Sequence, residues 1–175
     1  MKIKKLIIAV ALITTPFFMN AQSQFDKFED IDGVTSVIVN QKAFAMMSKI
    51  GAESDDEYLN LIKNITTLKV FATENEAVGK QMEAEVKNYL VKANLEELMR
   101  VKDGNSNVKI YVKEGKSEDY VKELFMFVKD GGDKSGNDQT VIIYLTGDID
   151  LKQISKLTEK MNLPGGEHLK KANKS

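Results

Sequence analysis

The chain has 175 residues, one histidine, no cysteine and a formal charge of -1 at pH 7. A balance so close to neutral gives no electrostatic reason to expect nucleic acid or an anionic membrane as partner. The lack of cysteine excludes disulfides, thiolate metal sites and the cysteine-linked lipid anchor of bacterial lipoproteins.

Lys2, Lys4 and Lys5 precede an apolar run from Leu6 to Ile13, and Asn20-Ala21 before Gln22 gives a cleavage point. Residues 1–21 therefore read as a signal peptide. Thr14, Thr15 and Pro16 interrupt the run, which is shorter than the roughly 20 residues of a spanning helix. The expectation is a cleaved signal, a periplasmic or secreted product, and no integral membrane span after its removal. Loss of those three lysines takes the formal charge to -4 and leaves about 154 residues, the size of one domain with its own core. Residues 22–166 are expected to form that domain, and residues 167–175 a flexible basic tail.

Phe25, Phe28 and Ile31 stand among charged residues, as in a short helix or arm laid on the domain. Val34 to Val39 reads as a strand, and Gln41 to Ile50 as a helix with Ala43, Met46, Met47 and Ile50 on one face and Gly51 at its end. Ser54 to Glu57 has capping-box spacing before Tyr58, Leu61, Ile62 and Ile65, a second short helix. Thr67 to Ala72 is the next strand. Thr73 to Glu76 repeats the capping-box spacing ahead of a longer helix buried along Val78, Met82, Val86, Tyr89 and Ala93.

Leu98 to Val112 reads as a β-hairpin. Val108, Ile110 and Val112 alternate with Lys109 and Tyr111, and the polar loop Asp103-Gly104-Asn105-Ser106 separates them from Leu98 to Lys102. Inward residues must face inward residues, so Val101 should oppose Val108 and Met99 should oppose Ile110. Leu124 to Val128 and Val141 to Leu145 are apolar on both faces, which places them inside a sheet. Asp130 to Asp138 reads as a mobile hairpin loop between them. Gly147 should break the last strand, after which Asp150 can cap a helix buried along Leu151, Ile154, Leu157 and Met161 and ended by Pro164-Gly165-Gly166.

The order is strand, two helices, strand, helix, four strands, helix. It predicts an α+β domain with a single, mostly antiparallel sheet of about six strands and helices packed on one face. A pair of ferredoxin-like halves is the alternative if Glu118 to Leu124 is helical.

Chemistry is sparse. His168 lies in the tail, where an imidazole is poorly held for a triad or for zinc. The acidic stretches Glu29 to Gly33 and Asp133 to Asp138 miss EF-hand spacing, and Gly131 to Gly136 lacks the order of a phosphate loop. Asp148 and Asp150 follow a strand end, but capping accounts for Asp150. The sequence thus points to no catalytic residue, no cofactor and no metal. Arg100, Lys109 and Tyr111, on the outward face of the hairpin, are the candidate interaction surface.

Three segments carry a family resemblance: Leu98-Met99-Arg100-Val101-Lys102-Asp103-Gly104, Ile110-Tyr111-Val112-Lys113-Glu114, and Leu145-Thr146-Gly147-Asp148-Ile149-Asp150 continuing to Leu157. With the signal peptide lacking a lipobox, they resemble an uncharacterised domain-of-unknown-function family of small exported proteins from Bacteroidetes bacteria. The resemblance implies an envelope location and genes near those of alternative sigma factors and their membrane regulators. It brings no activity and no catalytic residues. The resulting expectation is a non-enzymatic binding module of the cell envelope, with an envelope protein as partner and a role in envelope signalling. A carboxylate-dependent hydrolase using Asp148 or an acidic loop, and a purely structural envelope protein, are the competing readings. The sequence leaves the oligomeric state open.

Overall fold

The computed structural model describes residues 24–50, 56–131 and 138–154. One six-stranded sheet carries the fold: β1 (Val34–Asn40), β2 (Ile65–Thr73), β3 (Glu96–Asp103), β4 (Ser106–Ser117), β5 (Tyr120–Asp130) and β6 (Gln139–Asp150). Every neighbouring pair is antiparallel, in the spatial order β1-β2-β6-β5-β4-β3. Among the described residues three α-helices join it: α1 (Gln41–Ile50), α2 (Asp56–Asn64) and α3 (Glu76–Ala93). Glu118 and Asp119 form the turn between β4 and β5, so the helix needed for ferredoxin-like halves is not there.

The strands predicted to be apolar on both faces lie inside the sheet, and that burial requires a cover on each side. Leu124, Met126 and Val128 of β5 and Val141, Ile143 and Leu145 of β6 pack with Phe44 of α1 and with Leu61 and Ile62 of α2. Phe125, Phe127, Ile142 and Tyr144 point the other way, onto Val78, Met82, Val86 and Tyr89 of α3. Helices are therefore divided between the two faces rather than gathered on one. The second face is completed by Phe25 and Phe28, each 1% exposed, around a single 3-10 turn. The Phe25 ring meets Tyr89 edge-on at 5.1 Å and stacks on Phe125 at 5.5 Å. The aromatic arm anticipated from Phe25 and Phe28 is thus part of the core.

The hairpin register is as the alternation required: Val101 pairs with Val108, and Met99 with Ile110. Its connection is tighter than the four-residue loop of the sequence reading. Asp103 pairs with Ser106, leaving a two-residue turn with Gly104 at φ +54°, the position at which a type II′ turn takes glycine.

Three other boundaries differ from expectation. Asn75, not Thr73, caps α3: its Oδ1 accepts from the Ala77 and Val78 amides, while the Thr73 hydroxyl donates to the Gly33 carbonyl. Ile65 begins β2 instead of extending α2. Gly147 does not end β6, which continues to Asp150. At φ +145° Gly147 instead lets β6 pass the Asn64 carbonyl, which a Cβ would meet at 2.2 Å. Asp150 then accepts from the Lys152 amide at 2.9 Å, as a cap should. Leu157, Met161, His168, the turn at Pro164, Ser54, Asp55, Gly51 and the loop 132–137 lie outside the described residues.

Candidate functional site

Along the sheet, α3 lies over β2 and β6. On that face the far end of the sheet, β4 and the edge strand β3, keeps its side chains half-buried or exposed. Arg100 and Lys109 are direct cross-strand partners there, and Tyr111 stands opposite Glu97. The three residues picked from the sequence are therefore one contiguous patch. Glu97 ties it together: its carboxylate accepts from the Arg100 guanidinium at 2.6 Å, and Arg100 holds its pKa below the usual carboxylate range. The same pair raises Arg100, and partial burial, then the Glu97 charge, raises the Tyr111 phenol.

Two cations set directly opposite one another work against sheet stability. By strand alternation Lys102 and Lys113 share the face of Arg100 and Lys109, where Arg100 and Lys109 act on Glu97 and Lys113 stands opposite Glu123. A local arrangement that runs against folding is a feature to explain by recognition rather than by stability.

Beyond the patch, β3 is a sheet edge whose outer backbone groups meet no strand among the described residues. Its register shifts between Glu97 and Met99, and this bulge turns Leu98 toward a cleft of about 410 Å³ with Val112, Val121, Leu151 and Lys116. Leu98 is 52% exposed and Val101 42%. The bulge left no mark in the sequence, because Leu98-Met99 reads the same whichever residue is inserted.

The carboxylates considered for catalysis are otherwise engaged. Asp148 pairs with Lys116 at 2.6 Å on the surface, and the Lys116 ammonium lies 3.8 Å from the Tyr120 ring centroid. Asp150 caps the chain that follows and accepts from the Gln153 side chain at 3.1 Å.

Sequence reasoning passed over Glu123, the one buried carboxylate among the described residues, which is 7% exposed. It sits beside a register shift in β5, opposite Thr146. Burial raises its pKa, against the lowering effects of the hydrogen bond donated by the Tyr89 hydroxyl and of Lys113. Burial likewise raises Tyr89, and pushes Tyr144 up to about 12. A glutamate interrupting the run from Tyr120 to Val128 was the available signal. The Thr146 hydroxyl beside it is buried without a hydrogen-bond partner.

Among the described residues no group of three or more His, Cys, Asp or Glu is placed to hold a metal ion, and no helix is long and apolar enough to cross a membrane. A family model described as a domain of unknown function (DUF4252) matches residues 28–157. No curated protein and no solved structure matches the chain.

Proposed function

Because the chain belongs to this family of unknown function, its role must be argued from its surface, and we propose that it is an exported, non-enzymatic binding module of the cell envelope. Its ligand is an extended, acidic segment of an envelope protein, which adds to the sheet along β3. The observation that carries this reading is the coincidence of a strand edge open among the described residues with the Arg100–Lys109 cross-strand pair beside Glu97 and Tyr111, on the face that Lys102 and Lys113 share. Strand addition supplies affinity through backbone hydrogen bonds, and alternate side chains supply specificity. The basic face selects acidic residues, and Leu98 and Val101 offer apolar contact on the opposite face. Export rests on Lys2, Lys4, Lys5 and the apolar run after them, and the signalling role on the family resemblance.

Affinity capture from the envelope of the source cell, with the wild-type protein beside an Arg100→Glu/Lys109→Glu variant, tests the proposal. One stoichiometric polypeptide should be retained by the wild type, released by moderate salt and lost from the variant. Equal retention by both proteins would refute the assignment of the patch.

A further inference from the structure

The two edges of the sheet are built differently. β3 carries the charged residues Glu96, Glu97, Arg100, Lys102 and Asp103, and its register with β4 shifts between Glu97 and Met99. β1, at the other edge of the sheet among the described residues, reads Val34-Thr35-Ser36-Val37-Ile38-Val39-Asn40. It has no charge and no proline, and its seven residues pair with β2 without a register shift. Its Ile38 is 39% exposed. Five of the seven side chains are β-branched, the composition that fits a pleated, half-buried surface.

We propose that β1 is a homotypic docking edge, at which a second copy of this chain pairs antiparallel and joins two six-stranded sheets into one. Residues opposed in an antiparallel pair share a face, so a twofold-symmetric register must centre on a residue rather than between two. The register centred on Val37 uses all seven. It sets Val37 against Val37 and Thr35 against Val39 on the face where Val37 and Val39 already pack on the core with α1 and α2. On the other face it sets Ser36 against Ile38 and covers that exposed side chain.

No like charges meet in this arrangement. β1 offers a charged partner nothing to read, whereas a second copy of itself meets it with no unpaired charge and covers Ile38. A seven-residue strand contact is small beside stable interfaces, so the dimer depends on concentration.

Sedimentation velocity of the purified protein over a range of concentrations reads the association. The mass should rise toward twice that of the chain. Ile38→Lys should weaken the dimer tenfold or more with an unchanged circular dichroism spectrum, and Val101→Lys on the opposite edge should leave it intact. Since the chain has no cysteine, Val37→Cys supplies a sole thiol on the twofold axis. A short bismaleimide should link two such chains, and should not link chains carrying Val101→Cys. A monomer at every concentration, a dimer that Ile38→Lys leaves unchanged, or equal linkage at the two positions would overturn the proposal.

Discussion

Ile110→Ala compared with Lys109→Ala tests the register of the sheet at neighbouring positions on opposite faces. Ile110 is 2% exposed, pairs with Met99 on β3 and Met126 on β5, and belongs to the cluster under α1 and α2. Truncation removes three carbons, about 2.4 kcal/mol at roughly 0.8 kcal/mol per buried methylene. The cavity left between two methionines adds to this, although flexible thioethers can partly collapse into it. A loss of about 3 kcal/mol follows, inside the range of about 2–5 kcal/mol for such changes. Lys109 stands opposite Arg100. Its truncation removes a like-charge contact with little packing, so the effect should lie within about 0.5 kcal/mol and tend toward stabilisation. Urea unfolding of both variants, compared by midpoint at constant slope, gives the two values. Equal losses, or the larger loss at Lys109, would mean that β4 is slipped by one residue.

Other expectations follow from the same geometry. Tyr89→Phe removes the hydroxyl that donates to Glu123 and should cost about 1.5–3 kcal/mol at neutral pH in urea unfolding. Glu123 has a pKa raised above 4.5 by burial, so its contribution to stability is full below that value and is lost as pH rises through the raised one. The wild-type advantage over Glu123→Gln should therefore shrink as pH rises above the ordinary glutamate value in parallel melts; a constant difference would show that Glu123 is solvated. Gly147→Ala combines φ +145° with a Cβ 2.2 Å from the Asn64 carbonyl, whereas Gly104→Ala at φ +54° meets nothing within 4 Å. Thermal melts should show the first as the much larger loss and the second as about 1–2 kcal/mol. Asn75→Ala should cost about 1 kcal/mol as the loss of the α3 cap, and Glu76→Ala far less, since no capping box operates there.

The sheet was legible because its strands carry strong period-2 signals. Val108, Ile110 and Val112 alternating with Lys109 and Tyr111 were enough to fix the hairpin register. Arg100, Lys109 and Tyr111 met on one face because side-chain period and register together determine the face. The expectation of helices on one side failed on a point that the sequence itself contained: Leu124 to Val128 and Val141 to Leu145 are apolar at every position, and such strands need covers on both faces. Other features depend on contacts distant in sequence. Gly147 looked like a strand terminator because its use, passing the Asn64 carbonyl, involves a residue far away in the chain. Glu123 is paired by Tyr89 from α3, a partner that no spacing rule could supply. Thr73-x-x-Glu76 matched the capping pattern while Asn75, two residues on, had the better geometry.

Amide hydrogen exchange on the captured complex tests the central claim most directly. If an acidic segment adds to the sheet, the outward amides of β3, Glu96 to Asp103, should gain protection that the Arg100→Glu/Lys109→Glu variant does not show under the same conditions. Protection confined to α1, α2 or β1, with β3 exchanging as in the free protein, would contradict it.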